Sequence, residues 1–93
     1  LIITIPDDYI LDTIYPNPFN LTTTIKFGIH DDANVTINIF NINGQLIEVF
    51  IDEEMPAGYH SLIWNANLYS SGIYILQMTS GSYLKTQKVV LIK

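Results

Sequence analysis

The side chains that could do chemistry in this chain are few and poorly grouped for it. His30 and His60 are its only imidazoles, and acid–base catalysis would need one of them beside a carboxylate or a nucleophile in a shared site. His60 alternates with Leu62 and Trp64 in Tyr59-His60-Ser61-Leu62-Ile63-Trp64. That spacing puts it on the inward face of a strand, where a hydrogen-bonded structural histidine is expected. No serine stands in a Gly-x-Ser-x-Gly turn, and no glycine-rich loop opens a helix. The acids cluster as Asp7-Asp8, Asp31-Asp32 and Asp52-Glu53-Glu54. Calcium takes about six to eight oxygens, delivered in a dedicated loop from alternate positions. Adjacent acids do not supply that spacing and match solvated loop charge, so no metal site is expected. The absence of cysteine removes thiolate ligands, disulfides and thiol nucleophiles together. No cofactor is expected, and the chain is not expected to be an enzyme.

Six Tyr and one Trp raise a second chemistry, the stacking of sugar rings on an aromatic platform. Most of them alternate within strand-like runs, as core and cross-strand pairs do; only Tyr9, Tyr15 and Tyr69 fall in connections. Nine acids against four lysines give a net charge of −5, which argues against nucleic acid as a partner. No apolar run approaches the roughly 20 residues a membrane helix needs, and no basic-then-apolar export peptide stands at the start, so no membrane insertion is expected. At 48% hydrophobic and 14% charged the composition is that of a globular chain. Its 93 residues suffice for one domain, burying roughly 60–65% of the unfolded surface. The start at Leu1 suggests a piece of something longer or a processed product.

The elements that must carry these residues are strands. Ser71 to Lys93 contains two runs rich in β-branched and aromatic residues around Ser80-Gly81-Ser82, the pattern of a β-hairpin. Tyr74, Leu76 and Met78 share one face of the first run. In the second, Leu84, Thr86, Lys88, Val90 and Ile92 oppose Tyr83, Lys85, Gln87, Val89 and Leu91. The end of that run is apolar on both faces, and such a strand is expected inside a sandwich or under cover rather than at an open edge. Upstream, residues 22–29, 35–40, 45–51 and 59–64 alternate likewise, with Asn43-Gly44 as a hairpin turn and 52–58 as a solvent loop. Tyr15-Pro16-Asn17-Pro18-Phe19-Asn20 forms a rigid corner, with Phe19 as its buried anchor and Asn17 and Asn20 placed to bond backbone groups. Leu1 to Ile5 could add a further strand before the Pro6-Asp7-Asp8 turn. No segment keeps a 3.6-residue period. The expected fold is all-β, a seven-stranded antiparallel immunoglobulin-like β-sandwich, with a small closed barrel as the alternative.

In order and spacing, several of these motifs together closely resemble one family. They are Tyr15-Pro16-Asn17-Pro18-Phe19-Asn20 with Thr22 to Phe27, Val35-x-Ile37-x-Ile39-Phe40-Asn41-x-x-Gly44-Gln45, Ala57-Gly58-Tyr59-His60, Trp64-Asn65, Ser71-Gly72-Ile73-Tyr74 and Lys85-x-x-Lys88-Val89-Val90-Leu91-Ile92-Lys93. The chain resembles the type A carboxy-terminal sorting domain of the type IX secretion system and, less closely, the Ig-like domain of the flagellar hook-capping protein. The likeness spans residues 14–93, leaving 1–13 as linker or the end of a preceding domain; Leu21 departs from it, since the family usually has Pro there. The resemblance implies a secreted or cell-surface destination. It also implies recognition by an outer-membrane translocon and its processing machinery, with export and surface attachment of a cargo protein. It assigns the recognition end to Gly72, Tyr74, Gly81, Lys85, Lys88, Val89, Val90, Leu91, Ile92 and Lys93. Tyr15, Pro16, Asn17, Pro18, Phe19, Asn20, Gly44, Gly58 and Trp64 are its structural motif. Two other readings stay open. One is an adhesive or fibre-forming sandwich that self-associates by donating residues 1–5 to a neighbour; the other is a carbohydrate-binding accessory domain using Tyr9 and Tyr69.

Overall fold

The structure, a computed structural model, describes residues 5–93. Alternating apolar residues give seven strands: β1 (Ile10–Leu11), β2 (Thr22–Ile29), β3 (Ala33–Asn41), β4 (Leu46–Met55), β5 (Gly58–Asn65), β6 (Gly72–Ser80) and β7 (Tyr83–Leu91). The described residues contain no helix. The strands make two antiparallel sheets, in the orders β1-β2-β5 and β4-β3-β6-β7. Their inward residues meet in one core that includes Ile25, Phe27 and Ile29 of β2, Val35, Ile37 and Ile39 of β3, Leu76 and Met78 of β6, and Val89 and Leu91 of β7. This is the expected immunoglobulin-like sandwich. Two separate sheets with free edges exclude the closed barrel.

The seventh strand is Ile10–Leu11, which pairs with Gly28 and Phe27 of β2 and buries Leu11 in the core. The strand expected over residues 1–5 lies outside the described residues except for Ile5, which is in no strand. The turns follow local chemistry. Asn41 Oδ1 accepts from the N–H groups of Asn43 and Gln45, and Gly44 takes the left-handed conformation (φ 81°) that closes a three-residue hairpin loop. Ser80 pairs with Tyr83 across Gly81-Ser82, and Gly81 again has positive φ (58°).

β4 departs from expectation. It runs on through Asp52, Glu53 and Glu54 to Met55, so the acidic run is strand and not loop. It lies at a sheet edge, where charged side chains are solvated without breaking the ladder to β3. Two register shifts interrupt that ladder, between Ile37/Asn38 and between Ile39/Phe40, each adding a β4 residue. The simple alternation of Leu46, Glu48 and Phe50 against Ile47, Val49 and Ile51 is therefore lost, and Ile47, Phe50 and Ile51 all pack on the core.

The same irregularity turns Glu48 towards the aromatic end of the core. Its Oε1 accepts from Trp64 Nε1 (3.2 Å) and from the Tyr69 hydroxyl (2.7 Å). Trp64 also lies against Phe19, Tyr69 and Tyr74, at centroid distances of 5.5, 6.0 and 6.0 Å. Burial first, and then the bond to Glu48, push the Tyr69 hydroxyl up to about 12 from its usual 10. A pKa raised on folding stabilises the fold fully below the unfolded value, and that contribution is lost as pH climbs through the folded one. Spectrophotometric titration of the tyrosines should therefore show one ionising about two units late. Stability should fall between pH 10 and about 12, and Tyr69→Phe should remove that late titration.

Candidate functional site

Neither histidine stands in a catalytic arrangement. His60 stacks on Phe27 (5.2 Å) with Nε2 2.8 Å from the Pro56 carbonyl, the structural role expected for it. His30 Nδ1 lies 2.9 Å from the Pro6 carbonyl; that bond, and then Asp31, raise the ring's pKa. Among the described residues no three of His, Cys, Asp or Glu stand close enough to hold a metal ion. An open cleft of about 440 Å³ is lined by Asp12, Thr13, Tyr15, Thr24 and Lys26, with no histidine and no second carboxylate to pair with Asp12. Tyr69 is taken up by Glu48 and the core, and Tyr9 packs on Tyr83 (6.1 Å), so these two form no shared sugar-stacking platform.

The remaining concentration of chemistry is β7. Three of the chain's four lysines, Lys85, Lys88 and Lys93, fall in the last nine residues of a module with net charge −5. β7 pairs with β6 over nine consecutive residues, from Gly72↔Leu91 to Ser80↔Tyr83, with no register shift. It is an edge strand, which corrects an interior placement, but the expected cover is present over its final residues. The Tyr15–Asn20 corner supplies it. Asn17 Nδ2 donates to the Lys88 carbonyl (3.0 Å) and Asn17 Oδ1 accepts from the Val90 N–H (2.9 Å). Phe19 N–H then donates to the Val90 carbonyl (2.9 Å) and its carbonyl accepts from the Ile92 N–H (2.8 Å), forming a parallel bridge to Leu91. Asn17 thus plays the backbone-bonding role expected of it, and Phe19, 2% exposed, is the anchor. Asn20 contributes its carbonyl, which accepts from the Thr22 N–H (3.0 Å).

The other corner residues sort by what they touch. The Pro16 carbonyl accepts from the buried Thr23 hydroxyl (2.6 Å), and Tyr15 bridges to Thr24 with its ring exposed. The bonds preceding Pro16 and Pro18 are both cis. Leu21 has φ 71°, a backbone proline could not adopt. Gly58 starts β5 with a positive φ (136°).

The residues to which the resemblance assigns recognition differ in burial. Tyr74, Val89 and Leu91 are core residues, with Tyr74 donating its hydroxyl to the Ser70 carbonyl (2.5 Å). Gly72 opens β6 opposite Leu91, and Gly81 makes the turn. Val90 is half-buried, while Lys85, Lys88, Ile92 and Lys93 are exposed. Lys93 is tied back, its N–H donating to Ser71 Oγ (3.0 Å) and its Nζ to the Asn67 carbonyl (2.8 Å). Sequence reasoning missed two supports. Glu48 is one. The other is Gln87, whose Nε2 donates to the Leu11 and Asp12 carbonyls and whose Oε1 accepts from the Ile14 N–H, clamping β7 to the opposite sheet. Their signal was polar residues at inward-alternating or bulged positions.

Asn17→Ala removes both side-chain bonds from the end of β7. It should cost about 1–3 kcal/mol in denaturant unfolding and speed exchange of the Val90 amide, with the spectrum of the folded state unchanged.

Comparison with known proteins bears on the fold and on the family. No curated protein matches the sequence. The crystal structure of dimeric latent PorU from Porphyromonas gingivalis is similar in fold, with a TM-score of 0.67 over 91% of this chain at 17% identity. The chain spans only 9% of that protein's length. The family described as the secretion system C-terminal sorting domain matches residues 13–93, nearly the whole sandwich. The chain belongs to this family, the C-terminal sorting domains of the type IX secretion system, whose members mark cargo for the cell surface or the surrounding medium.

Proposed function

We propose that the chain is a non-catalytic export signal that the type IX outer-membrane translocon and its processing machinery recognise as a folded module, with residues 14–93 as the signal and 1–13 as its junction to a cargo protein. The observation that carries this reading is the family match over residues 13–93. The basic edge of β7 supports it, since a regular edge strand with exposed lysines suits docking to another protein. Lys85, Lys88, Ile92 and Lys93 are the surface through which the machinery reads the module. Val89, Leu91 and Tyr74 act by keeping that surface in place, Val90 partly so, and Gly72 and Gly81 shape the hairpin. The module neither inserts in a membrane nor binds nucleic acid.

Removing residues 84–93 should leave the cargo in the periplasm. Cargo that reaches the surface or medium normally without them would overturn the proposal. A fibre subunit, by contrast, would grow in mass with concentration, whereas the sorting module should sediment as a monomer.

A further inference from the structure

The outer edge of β7 is not uniform along its length. The groups bonded by the corner are the carbonyl of Lys88, both groups of Val90 and the N–H of Ile92. Backbone groups of an antiparallel edge strand alternate in direction with a period of two. Pairing with β6 is unbroken, so the N–H and C=O of Leu84 and Thr86 and the N–H of Lys88 point outward as well. Among the described residues these groups have no backbone partner. The edge is therefore closed from Lys88 to Ile92 and open from Leu84 to Lys88.

The opposite edge of the same sheet is guarded differently. β4 carries two bulges and the acids Asp52, Glu53 and Glu54, devices that discourage strand pairing. β7 has no bulge, and its open stretch carries Lys85 and Lys88 with Leu84, 59% exposed, between them and the turn. Across four strands, one edge is acidic and irregular while the other is basic and regular.

We propose that Leu84–Lys88 is a strand-docking site that accepts an extended, acidic segment of a partner protein, added in the plane of the sheet in line with Asn17–Phe19. Backbone pairing to Leu84, Thr86 and Lys88 supplies the register. Carboxylates on either face of the incoming strand meet Lys88 on the outer face and Lys85 on the inner one. An apolar side chain two or four residues along covers Leu84. A second copy of this chain is a poor occupant, because among the described residues its only long acidic strand is the bulged β4. The inference rests on the sorting reading and deepens it by naming the partner's chemistry.

Thr86→Pro separates docking from folding. Proline removes an N–H that faces outward and is tolerated on edge strands at such positions. The purified chain should melt within a few degrees of wild type, while export of a fused cargo falls at least about tenfold. Lys85→Glu with Lys88→Glu should have the same effect, and Lys85→Arg with Lys88→Arg should export normally. If folded Thr86→Pro and the Glu pair export the fused cargo as well as the unaltered chain does, while the cargo without the chain stays in the periplasm, the docking inference falls and the sorting reading stands. Normal export without residues 84–93 sinks both. Should Thr86→Pro fail to fold, the charge-reversed pair decides: normal export of that folded variant overturns the acidic partner.

Discussion

Trp64→Ala is expected to destabilise the chain by about 3–5 kcal/mol, a large share of the roughly 5–15 kcal/mol that holds a domain of this kind. Trp64 is 1% exposed and joins parts distant in sequence: the corner through Phe19, the connection before β6 through Tyr69, β6 through Tyr74 and β4 through Glu48. Truncation removes the ring from all four and takes one bond from the Glu48 carboxylate, leaving it to Tyr69 alone. Collapse of the void is opposed by the strands on either side, so the cost should lie in the upper part of that range. Denaturant unfolding measures it. Phe19→Ala should be similarly costly, and the double variant should lose less than the sum, because each ring is the other's neighbour.

Leu91→Ala and Ile92→Ala should differ sharply although the residues are adjacent and chemically alike. Leu91 is 1% exposed and Ile92 53%. The first variant should lose about 2–5 kcal/mol, the second no more than about 0.5 kcal/mol. The contrast matters for any truncation near this end. Removing residues 89–93 takes away two core side chains, Val89 and Leu91, together with the backbone that Phe19 and Asn17 bond. Failed export of such a truncation mixes an unfolded module with a missing signal, whereas point changes on the exposed side of β7 do not.

Much of this sandwich was legible in the chain because an alternating strand records which residues face inward. Ile25, Phe27 and Ile29, and Tyr74, Leu76 and Met78, are buried as their spacing requires. Asn41 and Gly44 announce their turn through side-chain and backbone chemistry that needs no distant partner. Alternation does not record which strand lies beside which. The two bulges of β4 were therefore hidden, and with them the inward turn of Glu48. So was the latch of Asn17 on Val90, 73 residues away. Cover for an apolar β7 could be expected on physical grounds. That the corner would provide it, and over half its length, could not, because Asn17 and Phe19 carry no local mark of their partner.

That the folded chain is itself an address is tested most directly by transplanting it. The measurement is the fraction of a periplasmic reporter that becomes accessible at the cell surface or in the medium when residues 1–93 are fused behind it in a bacterium with a working type IX translocon. The reporter should leave the periplasm with the fusion and stay there without it. A reporter that remains in the periplasm while its attached module is protease-resistant and melts cooperatively would contradict the sorting role.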